Sequence, residues 1–508
     1  MIQWDKGSRW KFFFALVFVL VGATAEESVR LVVVSAESGG LVPCRIHLKG
    51  KDGKPVLAPG LPAWQDHFVC GGEVSLKLAP GDYSYEIERG PEFARIESKF
   101  TVAANQALSI TNHFRRLVDM AKEGWWSGDL HVHRSLANIE LLMRAEDLHI
   151  APVMTWWNRM NLWTNGAPTN LLVQFDKDRF YQVMAGEDER EGGALLYFNL
   201  AQPLKIAGAQ REFPSPMKFL AEARKFSNVW VDIEKPFWYD APIWIASGMA
   251  DSIGIANNHM YRSGMYPDEA WGRARDTNRW PAARDNGFWT QEIYYHALNC
   301  GIRLPPSAGS ASGVLPNPVG YNRAYVQVEG ALTYEKWWEG LRAGRVFVSN
   351  GPLLRATANG HLPGHVFKLK EGEKLNIDVF AKVDSDDGLG PLEVVKDGAV
   401  VASICGCSWD GTGPLAQLEF AESGWFLVRA FAEVPSTFRF ASTGPFYVER
   451  ADAPRRVSKT SAQFFVDWVR EREGRVKLDK LSEREEVLRY HREAEKFWLD
   501  KVANANAK

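Results

Sequence analysis

Apolar and polar positions change period several times along this chain, and each change marks a new kind of structure. Over residues 27–115 short runs such as 29–35, 44–50, 74–80, 83–90 and 94–102 alternate or stay apolar between Gly and Pro turns, the pattern of short strands. Asp52-Gly53 sits between two of them as a hairpin turn. Over residues 116–350 the pattern alternates between types. A helical stretch at 139–149 precedes a strand-like run at 150–157. A strand at 180–187 leads to a helix at 216–226, then a strand at 228–234. Alternating β and α segments predict a parallel sheet or barrel, with polar residues clustered just after the strands. Residues 351–452 return to strands, with Lys396-Asp397-Gly398 as a hairpin, and predict a second β-sandwich. Residues 453–508 are helical. Val487, Tyr490, Ala494, Phe497 and Trp498 form one apolar face that should dock on the barrel, and Thr460–Gln463 and Ser482–Glu485 fit capping boxes.

The N-terminus reads differently. Lys6, Arg9 and Lys11 precede an apolar run at 12–22 and Ala23-Thr24-Ala25, the form of a secretory signal peptide cleaved after Ala25. The run is short for a membrane span. The expected protein is therefore secreted or periplasmic, without a stable span after cleavage. A net charge of −2 with no basic block gives no indication of nucleic-acid binding. The 20 Trp residues fill cores or stack on sugars, and core filling is the first expectation for any one of them. Five Cys are too few for a disulfide framework. Pairing of Cys44 with Cys70 stays open, and Cys405 with Cys407 is a weak zinc signal.

The candidate chemistry begins at Gly128-Asp129-Leu130-His131-Val132-His133. On a strand, residues two apart share a face, so Asp129, His131 and His133 should project together as the start of a divalent-metal site. Four further clusters follow the later strands: Gly186-Glu187-Asp188-Glu189, Asp232-Ile233-Glu234-Lys235-Pro236, Asn257-Asn258-His259, and the Ser- and Gly-rich run 307–313. That last run reads as a tight loop rather than a nucleophile elbow, because Ala311 holds the central position.

These motifs, in this order, resemble the carbaryl-hydrolase-like (CehA/McbA) branch of the polymerase-and-histidinol-phosphatase (PHP) superfamily. Residues 39–56 and 78–93 also resemble a carboxypeptidase-regulatory-like sandwich, a module that is usually accessory. The likeness runs through the barrel to Phe347-Val348-Ser349-Asn350-Gly351-Pro352 and covers most of the mature chain. It implies a first sandwich (26–115), a PHP-like (β/α) barrel (116–350) and a second sandwich (351–452), between the signal peptide (1–25) and the helical segment (453–508) read above. It also implies a metal-dependent hydrolase. Three ligand clusters of that family depart here. Thr155-Trp156-Trp157-Asn158 replaces Thr-Asp-His-Asn, Lys235-Pro236 replaces His-Pro, and Ser310-Ala311-Ser312-Gly313 replaces Ser-Asp-x-His. The expectation is thus one divalent ion (Zn, Mn or Fe) on His131, His133 and Glu187, with His259 as a possible fourth ligand. Lys235 would supply positive charge at the reacting oxygen, and Asp232 or Glu234 would act as base. The bond cleaved would be an ester, amide or carbamate, phosphoester or glycan-linked bond in a small-molecule or carbohydrate substrate. The alternative is a non-catalytic carbohydrate- or ligand-binding protein on a decayed PHP barrel.

Overall fold

A computed structural model describes residues 27–451 and 453–508. The signal peptide expected at 1–25 lies outside the described residues. What is described is a mixed multidomain fold, mostly β-sheet with some helices.

The first unit is two facing sheets. In one, Glu27–Ser35 pairs antiparallel with Glu73–Leu78 and parallel with Leu108–Phe114. In the other, Cys44–Gly50 lies between His67–Cys70 and Gly81–Glu88. Alternate residues of both sheets, among them Val29, Leu31, Ile46, Leu48, Phe68 and Leu76, meet in one apolar core. Gly53 takes the positive φ (+75°) that the Asp52-Gly53 turn requires. Cys44 and Cys70 face each other across the strands with their sulfurs 3.8 Å apart, as free thiols. Cys405 and Cys407 form a disulfide with each other, so they are not zinc ligands.

The central strands follow the expected order but are not all parallel. Trp125–Gly128, Ile150–Trp157 and Arg179–Arg190 run parallel, as do Trp230–Ile233, Ser252–Ala256 and Pro306–Ala308. Between the two sets sits Gly193–Phe198, antiparallel to both its neighbours. Its apolar sequence is buried throughout. Gly193 at φ +115° makes the tight turn, with Trp238 packed where a side chain would begin. Past Gly128 the chain continues extended: Leu130 N–H donates to Ala308 O and His133 N–H to Ser312 O, while Met154 N–H donates to Val132 O. Residues 129–133 thus lie between 150–157 and 306–312.

The second sandwich is continuous with this sheet. Val346–Ser349 pairs with Arg323–Gln327 on one side and Phe440–Thr443 on the other. Its facing layer is Leu353–Ala358, Leu375–Asp384 and Ala416–Phe420. Asp397 and Gly398 both take positive φ in the expected hairpin.

The C-terminal helices Lys459–Arg475 and Leu481–Ala503 dock on the central unit. Trp498 is fully buried, donates to Pro242 O at 3.0 Å and stacks on Phe465. Burying an indole removes roughly 200 Å² from water, about 5 kcal/mol as an upper figure. The caps differ from expectation: Ser458 caps the first helix by accepting from Ser461 N–H, and Lys480 precedes the second without a side-chain cap. No helix among the described residues is long and apolar enough to cross a membrane.

Candidate metal centre

The extended segment 129–133 carries both histidines to one point. His131 Nε2 and His133 Nε2 are 2.9 Å apart. Glu187, near the end of Arg179–Arg190, brings Oε1 to 3.5 Å from His131 Nε2 and Oε2 to 3.2 Å from His133 Nε2. Glycines make the approach possible. A Cβ at Gly309 would lie 2.5 Å from His131 Cβ, one at Gly313 2.4 Å from His133 O, and one at Gly186 1.9 Å from the Trp156 ring. Asp129 does not join the group. Its carboxylate accepts the N–H groups of His131 (3.0 Å), Ser310 (3.0 Å) and Gly320 (2.7 Å), and so fixes the backbone beneath the site.

The other face of His131 decides what its Nε2 can do. His131 Nδ1 lies 3.4 Å from Glu234 Oε1, an ion-pair distance longer than a well-formed hydrogen bond. A carboxylate can only accept, so a ring proton belongs on Nδ1, facing Glu234, while Nε2 faces Glu187 and His133 and is the nitrogen a cation would take in place of its proton. Glu234 is itself held: its Oε2 accepts from Lys235 Nζ and, at 3.0 Å, from Trp238 Nε1. Lys235 Nζ sits 4.2 Å over the Trp238 ring. Burial works against charge on His131, but Glu187 and then Glu234 outweigh it and raise the imidazole to about 10. Burial likewise opposes charge on Glu187, and the two imidazoles, His131 foremost, hold it well below the usual range. His133 is lowered, by burial first.

The remaining candidates lie around this group rather than in it. Asp232 Oδ1 accepts from the Ser252 and Ser307 hydroxyls, the latter at 2.5 Å. Burial pushes its carboxyl up to about 7, and the hydroxyls offset this only in part. His259 is outside the group. Its ring packs 5.3 Å from both Phe237 and Tyr266, and burial, then Lys235, lowers it to about 3. The expected fourth ligand is therefore absent from the cluster. The positions where the resemblance leads one to look for more ligands hold indoles. Trp156 is buried against Gly186 and Tyr197, and Trp157 meets the His133 ring edge-on at 4.7 Å. Ser307, from the Ser- and Gly-rich run, supports the site, as do Trp238 and Ser252, which no motif in the sequence singles out.

Among the described residues two groups can hold a metal ion: His131, His133 and Glu187, and also His47, Asp66 and His67. Two donors on a tetrahedral ion with bonds of about 2.05 Å sit about 3.3 Å apart. The first group's separations are of this order: 2.9 Å between the two Nε2 atoms, and 3.5 and 3.2 Å from them to the two different oxygens of Glu187. Its second nitrogen facing a carboxylate is also the usual support of a ligating His. The second group fits poorly. Arg45 Nε donates to His47 Nε2 at 3.0 Å, so the ring proton sits on Nδ1, the atom turned to Asp66 at 3.1 Å. Asp66 Oδ1 also meets His67 Nδ1 at 3.2 Å, so the carboxylate already has an imidazole nitrogen against each oxygen.

No protein-family model matches the chain, and no curated protein matches it either. Among solved structures, the N-terminal four Ig domains of Dscam1 isoform 4.4 align over 84% of this chain and 99% of that one, at 9% identity and a TM-score of 0.12. A likeness that slight carries no argument about fold or function.

Proposed function

We propose that this protein is a secreted or periplasmic hydrolase with a single divalent cation (Zn, Mn or Fe), built on a distorted PHP-like (β/α) barrel. The observation that carries the reading is the convergence of His131, His133 and Glu187 at tetrahedral-edge spacing, with Glu234 behind His131. The backbone bonds that link 129–133 to both 150–157 and 306–312 support the barrel. A cation held there would polarise the scissile carbonyl or phosphoryl group and activate water. His131, His133 and Glu187 would hold it. Glu234 orients His131, and Lys235 with Trp238 fixes Glu234, so Lys235 and Glu234 act by positioning rather than as oxyanion donor and base. Asp232 stays beneath them, tied to two serine hydroxyls. The bond cleaved is an ester, amide or carbamate, phosphoester or glycan-linked bond.

The indoles at Trp156 and Trp157 favour a second reading, a non-catalytic ligand-binding protein on the same scaffold. Elemental analysis of the purified protein separates the two. About one metal per chain, lost in His131→Gln while the melting temperature holds, supports the hydrolase. No metal at any added concentration of Zn²⁺, Mn²⁺ or Fe²⁺ refutes it and leaves the binding reading.

A further inference from the structure

Beyond the metal centre lies a cavity of about 260 Å³, open to solvent, whose walls include Asn158, Arg159, Glu189, Gln210, Arg211 and Trp271. It adjoins the centre through one strand. Glu189 follows Glu187 by two residues on Arg179–Arg190, so both side chains leave the same face. Asn158 ties the rim to that strand, accepting Glu189 N–H at 3.2 Å.

Trp271 is the aromatic wall of this cavity. It is 39% exposed, against full burial for Trp230 and Trp244. Its φ is +56°, a left-handed conformation that a bulky residue rarely adopts. The surroundings hold it there: Trp271 O accepts Tyr239 N–H at 3.1 Å, and Gly272 packs against Phe237 O with no room for a side chain. The ring stacks on Trp238, centroids 6.3 Å apart and planes 23° from parallel. Trp238 is the indole that holds Glu234. The exposed Arg211 guanidinium rests 5.2 Å over Trp271 and is otherwise tied to Glu191 at 2.6 Å, so a ligand ring stacks on the indole as this solvent-exposed side chain swings aside. Arg159 differs from the other cations of the wall. It is exposed at the two-residue turn between Trp157 and Met160 and has no carboxylate partner among the described residues, whereas Arg190 is paired with Asp188 at 2.7 Å.

Polar and charged side chains outnumber Trp271, Ile206 and Ala209 in this wall. A flat hydrocarbon ligand would leave their donors and acceptors unpaired. A ring with one apolar face and hydroxyls at its edge satisfies both kinds of wall. We propose that the cavity is a saccharide subsite for a hexuronic acid residue, with Trp271 as the platform for the pyranose ring and Arg159 as the partner of its carboxylate. The proposal rests on the hydrolase reading only for the fate of the bound sugar, since it places the substrate's non-reacting part beside the metal centre.

The test titrates methyl glucuronoside, methyl glucoside and benzoate into the full-length protein by calorimetry, with ligand-observed NMR for weak binding. Metal content is measured on the same samples. Trp271→Gly deletes the ring while glycine accepts the left-handed backbone, so this variant should fold. The expected result is glucuronoside binding about tenfold tighter than glucoside, a loss of about tenfold or more for both sugars in Trp271→Gly, and no preference between them in Arg159→Gln. Absent glucuronoside binding, equal binding by Trp271→Gly, no preference for the charged sugar in the wild type, or benzoate binding tighter than glucuronoside would each overturn it. Sugar binding of the expected pattern in a protein that takes up no metal would sink the hydrolase reading and leave the subsite standing. Metal without sugar binding would do the reverse.

Discussion

Glu234 never reaches the proposed ion, yet removing its charge should weaken metal binding. At 3.4 Å from His131 Nδ1, one unit charge attracts another by about 5 kcal/mol at an effective dielectric of about 20, before lost solvation is subtracted. What survives for carboxylates behind ligating histidines is about 10- to 100-fold in metal affinity, or about 1.4–2.7 kcal/mol. Glu234→Gln alone is ambiguous, because it strands the buried Lys235 ammonium. The double variant Glu234→Gln/Lys235→Met removes both charges and leaves neither uncompensated. Both variants should bind Zn²⁺ about 10- to 100-fold more weakly than wild type in competition with a chromophoric chelator. Lys235→Met alone should keep affinity within a few-fold but lose about 3 kcal/mol of folding stability, since it removes the ammonium that balances the buried Glu234 carboxylate. A double variant that binds Zn²⁺ within about twofold of wild type would show that Glu234 does not act through His131, and the positioning role assigned to it would fall.

Three further outcomes are expected. His149 is buried and lowered to about 3, by burial first. Its unfolded form takes up a proton below about 6.5, so stability is lost as pH falls from there, about 2 kcal/mol by pH 5. Urea unfolding at pH 7 and pH 5 should show that loss shrinking by about the same amount in His149→Gln, and an unchanged difference would refute the assignment. Gly309→Ala would set a Cβ 2.5 Å from His131 Cβ. It should cost about 1–3 kcal/mol in thermal unfolding and lower metal occupancy, and wild-type occupancy would show that this close approach is not needed. Finally, metal content should stay near one per chain in His67→Ala. Two ions in the wild type, with one lost in that variant, would overturn the tautomer assigned to His47.

The parts of the fold carried by local pattern were legible in the sequence. The Asp52-Gly53 and Asp397-Gly398 turns, the strands at 150–157 and 230–233, and the apolar face of Val487, Ala494 and Trp498 all follow from period and turn chemistry alone. Gly193–Phe198 was missed because an apolar five-residue run after a glycine pair has no period of its own, and only its neighbours make it an antiparallel strand. In the site, the spacing of His131 and His133 held its meaning because both rings do converge. The same rule misled for Asp129, where loop N–H groups from distant residues 310 and 320 claim the carboxylate. It was silent on His259, whose ring direction is set by packing against Phe237 and Tyr266. Glu234 stands out in the sequence as a candidate base, but in the structure it works on His131, and Trp238 works on Glu234; no motif spacing encodes such work on another side chain.

Charge accounts for how so reduced a ligand set can remain buried. Glu187 and Glu234 bring two negative charges into the protein, each nearly excluded from water. Lys235 cancels one through Glu234. The other is balanced by the proton on His131, whose raised affinity near 10 is the measure of that need. A cation that docks on the Nε2 atoms and Glu187 takes over the role of that proton, and a dication leaves the cluster one charge positive. Trp156 and Trp157 contribute no further carboxylate to absorb the surplus. The cluster then attracts a negative group from the adjoining cavity, where Arg159 has no carboxylate partner among the described residues. Loss of the extra ligands and preference for an anionic ligand are, on this reasoning, two consequences of one charge balance. Loading with Zn²⁺ should therefore tighten glucuronoside binding and leave glucoside binding unchanged; equal gains for both sugars would break the link.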